Sequence, residues 1–551
     1  MKDSSLVLGF GAVLLLVYVV DKLMQAKRNA NLLPLPPGPR GLPIVGNIKD
    51  FPPPGVFGPH HWVKFKDEYG PLSSITVMGR TIILINDVQL AFDILDKRST
   101  YSSRSQPFLG GELYVMALLV PAEMLRRLTV ANLFSVGWKH NTAFLPDGDV
   151  LRHRRKGFGR IIGSNAAASQ FNELLEAEVA HFVLHLLESP EKLQDHIKRS
   201  AGTTILKLVY GYNAEQTKRD SLIDTVQKVM DDLAEYAAPG SYLVDTFPIL
   251  RHVPDWFPGA SWKKLARQWK KELMETVEKP YAFVQHQRAQ GREMPCYVSR
   301  LIENSGDSPE EERSNKWAAQ SLYTGGADTT VSSIGAFFLA MTLNPEIQAK
   351  AQEEIDRVVG HDRLPTLDDR KNLPYVEAVV KESLRWHSVI PICLPHTNPE
   401  ETTYGGFGVP KDAIMFANLW WFTHNPDVYP DPDVFRPERH IRTPNREPEL
   451  DPVRLVFGFG RRVCAGKILA QNSLFLNFAQ VLAVFRISKK VVDGVVIEPK
   501  VDHLNGALSH LGPFETSIAP RSVQHERLIR SLEERFPWQR PDNEVLERMG
   551  C

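Results

Sequence analysis

The segment that most constrains this chain is Phe457-Gly458-Phe459-Gly460-Arg461-Arg462-Val463-Cys464-Ala465-Gly466, a glycine-rich turn that leads straight into an apolar run. Its glycines let the backbone pass close to a flat neighbour. The run after Gly466 reads as a helix, so Cys464 lies at a helix N-terminus whose free N–H groups favour thiolate over thiol. Arg462 supplies a cation two residues away. Such a cysteine also suits a second role, that of a small buried side chain beside a tight turn. The other three cysteines (Cys296, Cys393, Cys551) lie far apart with no CxxC pair, which argues against a zinc ribbon and a disulfide framework.

Composition sets the outer limits. The chain has 551 residues, 43% hydrophobic and 24% charged, which is ordinary globular composition and excludes wholesale disorder. Lysine plus arginine and aspartate plus glutamate both total 65, so no global field would hold nucleic acid, and none is expected as a partner.

The first twenty-two residues read as a membrane anchor. Leu6 to Val20 is uncharged and is followed by Asp21, Lys22, Lys27 and Arg28. Fifteen apolar residues fall short of the roughly 20 that cross a bilayer, and snorkelling by Lys22 extends the span. Basic residues after the apolar run, with no small-residue cleavage site, favour a retained anchor over a signal peptide and keep the rest of the chain cytosolic. Residues 23–43 form a basic and proline-rich linker, with Pro34, Pro36, Pro37, Pro39 and Pro43 holding the backbone extended. The folded body is expected over 44–521. Residues 522–551 are charged, without a clear apolar face, and read as a loosely held tail.

Within the body, SSITVMGRTIILIND predicts a hairpin turning at Gly79-Arg80, and VQLAFDILDKR predicts a helix. Residues 165 to 290 are helical in pattern. Ser308-Pro309-Glu310-Glu311 reads as a capping box with proline at the first helical position. One long apolar helix is expected from about Lys316 to Leu343, then helices from Pro345 to Val359 and from Tyr375 to Trp386. A final helix begins near Gly466, and short strands close the body near Pro520. The expectation is one large, mainly α domain with a small β part.

The spacing FxxGxRxCxG meets the requirements of a loop presenting sulfur to haem iron, and it resembles the haem-binding loop of the cytochrome P-450 family. Glu382-Ser383-Leu384-Arg385 resembles the family's ExxR motif. The same pattern occurs at Glu123/Arg126, Glu310/Arg313 and Glu354/Arg357, and only the order of motifs singles this one out. Phe435-Arg436-Pro437-Glu438-Arg439 follows it, and the resemblance implies a structural triad of Glu382, Arg385 and Arg439. Gly325-Gly326-Ala327-Asp328-Thr329-Thr330 matches the family's (A/G)Gx(D/E)T(T/S) within the long helix. Two glycines there weaken the helix by about 1 kcal/mol each relative to alanine, so they need a reason. Close helix packing is one. The family reading is an oxygen-binding groove in which Asp328 and Thr329 pass protons as catalytic residues.

The whole style resembles fungal microsomal members of secondary metabolism. The implied fold is the cytochrome P-450 fold, preceded by an N-terminal transmembrane helix in the endoplasmic reticulum membrane, single-pass, with the catalytic domain on the cytosolic side. The implied cofactor is haem b, with Cys464 as axial ligand of the iron, Phe457 and Gly466 beside it, and Arg154, Arg462 and His396 on its propionates. Electrons would come from NADPH through NADPH-cytochrome P-450 reductase, with cytochrome b5 as a second donor. The implied activity is a monooxygenase inserting one atom of O2 into an apolar small molecule such as a terpenoid or polyketide-derived ring. The alternatives are a reductase-independent isomerase or peroxygenase, and a haem-binding protein of this fold without turnover.

The resemblance frays in two places. The family's WxxxR has Val150 where tryptophan is usual, with Arg154 kept. Residues 114–135 read as an insertion or as an unspliced intron translated into the chain. The substrate pocket is expected around residues 105 to 150, the helices between about 225 and 265, Ala327, Ile390 to Leu394, and the loop near Ala507 and Leu508.

Overall fold

The computed structural model describes residues 33–43, 45–53, 56–77, 79–104, 136–236, 255–256, 261–304, 306, 308–506 and 508–550. The anchor, the 114–135 segment and most of the 225–265 stretch beyond Tyr236 therefore lie outside the described residues. Among those described, no helix is long and apolar enough to cross a membrane.

Helix α1 (Gly58–Tyr69) leads into strands β1 (Leu72–Val77) and β2 (Arg80–Ile85). The hairpin forms as expected, but Arg80 already pairs with Val77, so the turn falls one residue earlier than the sequence suggested. The following helices are α2 (Asp149–Ile162), α3 (Asn172–Glu188), α4 (Leu193–Tyr210), α5 (Ser221–Tyr236) and α6 (Trp262–Ala289). Next come α7 (Pro309–Ala327), α8 (Thr329–Leu343), α9 (Pro345–Val358) and α10 (Pro374–Trp386). Strands β3 (His396–Thr397) and β4 (Ile414–Ala417) complete a sheet of order β1-β2-β4-β3, in which only β2 and β4 run parallel. Helix α11 (Lys467–Val484) passes directly into β5 (Phe485–Ser488), which pairs with β6 (Ser517–Pro520).

Two predicted features form differently. The long helix expected from Lys316 to Leu343 is two helices, α7 and α8, broken at Asp328. Only half of the capping box forms: the Glu311 N–H donates to Ser308 Oγ at 3.1 Å, but the Glu311 carboxylate accepts from Gly306 N instead of the cap.

Helices α8 and α11 are apolar on nearly every side, which fits only the middle of a large core. There the Phe337 and Phe478 rings stack with centroids 3.9 Å apart.

The C-terminal residues are folded, contrary to the loose tail expected of them. They form α12 (Val523–Arg535) and α13 (Asn543–Arg548). Leu528, Ile529 and Leu532 make a stripe only one residue wide per turn, hidden in the sequence among charges. Ile529 and Leu532 are buried in the main core, and Trp538 stacks on His181 with centroids 4.1 Å apart. Leu546 joins a second core around α4 and α6.

Candidate active site: a cysteine-walled cavity rich in arginine

A cavity of about 360 Å³ lies between α4, α7, α8 and the start of α11, closed by the loop through Ile390 and Leu394. Its wall is largely apolar, including Phe158, Ile205, Leu208, Ile334 and Leu469. Ile390 and Leu394 take the places expected of them. The contribution of α4 was not foreseen, because Thr204, Ile205 and Leu208 share a face that also suits ordinary helix packing.

Cys464 opens into this cavity. The turn before it is tight: the Cys464 N–H donates to Phe457 O at 2.8 Å, and Gly458 and Gly460 sit at φ +79° and +52°. A side chain at Gly460 would be pressed against Leu95 O at 2.5 Å, so only glycine fits. Phe457 and Gly466 line the cavity on either side of the sulfur. The solvent reach of Cys464 is into the enclosed cavity, and its surroundings are protein. Burial accordingly pushes its thiol up, against the opposing pull of the Gly466 N–H, Arg155 and Lys467. The helix N-terminus alone does not win, a correction to the sequence argument. Cys393 reaches the same cavity, but burial drives its thiol to about 11 and no glycine turn presents it.

Among the described residues, three guanidinium groups, Arg104, Arg155 and Arg462, line the cavity and no carboxylate does. Burial lowers Arg104 to about 10, and burial with the neighbouring Arg104 and Arg155 lowers Arg462 to about 9. Such a cluster calls for an anion. Arg462 Nη2 donates to Leu145 O at 2.8 Å, Arg104 Nη1 to Leu394 O at 2.7 Å, and Arg155 Nη2 to Val463 O at 2.8 Å. Arg154 points elsewhere, to His140 O at 2.6 Å and Ser314 Oγ at 3.2 Å. Its neighbour Arg155 takes the cavity position, which sequence alignment by adjacent arginines could not distinguish. Val150 is exposed on the first turn of α2.

His396 is wholly buried; its Nδ1 bonds Tyr101 O at 2.8 Å, while Nε2 is buried without a partner. It stands in the strand that follows the cavity-lining loop. Surplus buried positive charge and a sulfur in one apolar wall, with an orphaned ring nitrogen in the adjoining strand, fit a flat, dianionic, iron-bearing macrocycle.

The triad lies beneath this wall. Glu382, Arg385 and Arg439 have no exposed side-chain surface. Arg385 binds Glu382 through two bonds of 2.8 Å, and Arg439 Nε reaches it at 3.1 Å. Sequence reasoning missed two members, His440 at 2.9 Å from Glu382 and Glu449 at 2.7 Å from Arg439. Burial pushes the Glu382 carboxyl up, but hydrogen bonds from His440 and Arg385 hold it at about 2. None of the three reaches the cavity wall, as befits a structural network.

Above the sulfur, the α7–α8 break exposes Thr329 and Thr330 to the cavity. The Thr329 hydroxyl donates to Gly325 O at 2.7 Å. The two glycines have separate reasons. A methyl at Gly326 would collide with Ile205 Cδ1 at 2.7 Å, whereas one at Gly325 would meet nothing within 4 Å. Asp328 is buried and turned away from the cavity wall, toward His510.

Fold and site together fit a haem enzyme with Cys464 at its cavity. The chain belongs to the cytochrome P450 family, whose model matches residues 36–510. It is 44% identical over 500 residues to cytochrome P450 monooxygenase claR of Ampulloclitocybe clavipes, covering 90% of this chain and 88% of the relative. Cytochrome P450 monooxygenase 208 of Postia placenta is 43% identical over 97% of this chain and 99% of its own length. The O-methylsterigmatocystin oxidoreductase of Aspergillus flavus is 37% identical over 99% and 98%. This chain is accordingly an oxidoreductase of the monooxygenase class.

Proposed function

We propose that the chain hydroxylates, or oxidises in a related way, an apolar ring-bearing small molecule of a fungal secondary-metabolite pathway. The relative named for O-methylsterigmatocystin supports a substrate of that size and kind, as does the apolar cavity. Electrons from NADPH arrive through a reductase at the cysteine side, where Arg461 and Lys467 flank the haem loop. The enzyme is held by its first twenty-two residues in the endoplasmic reticulum membrane, with the catalytic body facing the cytosol.

When bound, haem supplies dioxygen activation and the oxidation of C–H to C–OH. The residues do the rest. Cys464 ligates the iron as thiolate, and Arg104, Arg155, Arg462 and His396 hold the propionates. Leu208, Ile334 and Leu394 exclude water and orient the substrate by contact. Thr329, its hydroxyl fixed on Gly325 O, holds a proton donor at the helix break, and Asp328 supplies the proton behind it.

One observation carries the reading: Cys464, at the start of α11, and Thr329, at the start of α8, line one cavity. The test is the carbon monoxide difference spectrum of the reduced protein, then product formation with NADPH, reductase and dioxygen. A strongly red-shifted Soret band, lost in Cys464→Ala, and product that needs both NADPH and dioxygen are expected. A haem-loaded chain without that band refutes thiolate ligation.

A further inference from the structure

Behind the α7–α8 break, Asp328 does not end the polar path. Asp328 as a whole is 4% exposed, and its Oδ2 lies 3.2 Å from His510 Nε2. Its second oxygen, Oδ1, is buried without a partner, on a residue joined directly to Thr329. His510 is different: its side chain keeps about a third of its surface in solvent. The pair therefore has a wet end and a dry end.

The loop that carries the ring is held in place. The Ser509 N–H donates to Val389 O at 2.8 Å, and Ser509 O accepts from Ser332 Oγ at 2.6 Å and from His387 Nε2 at 3.1 Å. The Leu504 N–H donates to His510 O at 2.8 Å. These bonds tie the loop backbone to α8 and to the end of α10, and so keep His510 beside Asp328 while its side chain can still turn.

We propose that His510 is the proton inlet of the active site, accepting protons from solvent and passing them to Asp328 for delivery toward Thr329. The inference rests on the monooxygenase reading. The step is a proton transfer: the Nε2–H bond breaks, an O–H bond forms at Oδ2, and the electron pair stays on the ring. Solvent then restores the proton as the half-exposed ring swings out and back, so one proton enters for each delivered. The electrostatics agree. The hydrogen bond to Asp328 raises His510 above an ordinary histidine, burial opposes it, Lys198 on α4 lowers it, and Asp231 on α5 raises it. Among the described residues, the neutral His387 ring on the α10 side is a further titratable neighbour. His510 is a positioning residue, since it acts through Asp328.

The test compares wild type with His510→Gln and His510→Ala, as holoenzyme with reductase. Glutamine keeps a donor to Asp328 and preserves folding, but carries no proton across. Product per NADPH should fall on the order of tenfold in both, with the difference appearing as hydrogen peroxide; this is less than the ~10²-fold of a lost general acid, because water partly substitutes. The wild-type product yield should decline as pH rises through the His510 titration, and that dependence should vanish in the variants. Independently of turnover, the His510 resonance of ¹³C-histidine-labelled, reduced, carbon-monoxide-bound protein should titrate at lower pH in Asp328→Asn. Wild-type coupling in His510→Gln, or an unmoved titration in Asp328→Asn, overturns the proposal. A wild-type enzyme that makes no product with NADPH and dioxygen instead overturns the reaction reading, and the role of His510 with it.

Discussion

Replacing the two adjacent glycines of α7 one at a time should give opposite results. Both substitutions, Gly325→Ala and Gly326→Ala, return about 1 kcal/mol of helix propensity, so propensity cancels in the comparison. What remains is space. The new methyl at 325 meets no atom within 4 Å, whereas at 326 it lies 2.7 Å from Ile205 Cδ1 and 2.9 Å from Cγ1. Carbon atoms rest about 3.5–4.0 Å apart, so α4 and α7 must separate or Ile205 must leave its rotamer. Overpacking of this kind costs about 1–3 kcal/mol, which sets the expected gap between the two variants. Unfolding entropy of about 2.1 cal/mol/K per residue over the 551-residue chain makes that gap roughly 1–3 °C in Tm. Differential scanning fluorimetry with the variants side by side resolves it. Adding Ile205→Ala to Gly326→Ala leaves only Cβ, at 3.5 Å, and should recover the loss with a coupling of about 1–3 kcal/mol. Gly326→Ala as stable as Gly325→Ala would refute the packing role.

Further outcomes follow from the same geometry. His396→Leu removes a buried nitrogen that has no partner together with the Nδ1 bond to Tyr101 O, and the relief of the first offsets the loss of the second, so the haem-free protein should keep its stability within about 1 kcal/mol. Its haem should pass to an apo-globin acceptor roughly tenfold faster, as a lost charge-assisted bond predicts; unchanged transfer would remove His396 from the propionate set. Ending the chain at Arg521 exposes the core around Ile529 and Leu532, at about 1.5–3 kcal/mol for each buried side chain. Limited proteolysis should then cut the truncated chain at much lower protease levels; equal resistance would restore the loose-tail view. Glu382 is held at about 2 against an ordinary 4.5, so its carboxylate contributes stability that is complete above pH 4.5 and lost as pH falls toward 2. The urea midpoint should drop across that window, and His440→Leu should move the onset to higher pH; the same onset in both proteins would exclude His440 from the network.

The chain's sequence determined the chemistry. Cys464 in its glycine turn, the Glu382/Arg385 pair and the Asp328-Thr329 pair are readable because each sits in a short motif of fixed spacing, whereas Arg439, 57 residues beyond Glu382, entered only through the order of motifs that the resemblance supplies. The hairpin and α11 are readable for the same reason, since period and punctuation are local, while the break between α7 and α8 is not. The tertiary structure decided what depends on distant neighbours. Arg154 and Arg155 are adjacent and alike in sequence, and only the packing of α2 chose which faces the cavity. Gly325 and Gly326 look equivalent until Ile205, more than a hundred residues away, fills the space beside one of them. The C-terminal helices looked solvated because their apolar stripe is narrow, and a narrow stripe is stabilised only by a groove that the rest of the chain must first build. His510 carried no signal at all, because a histidine in a loop acquires a role only from the carboxylate that folding brings to within 3.2 Å of its ring.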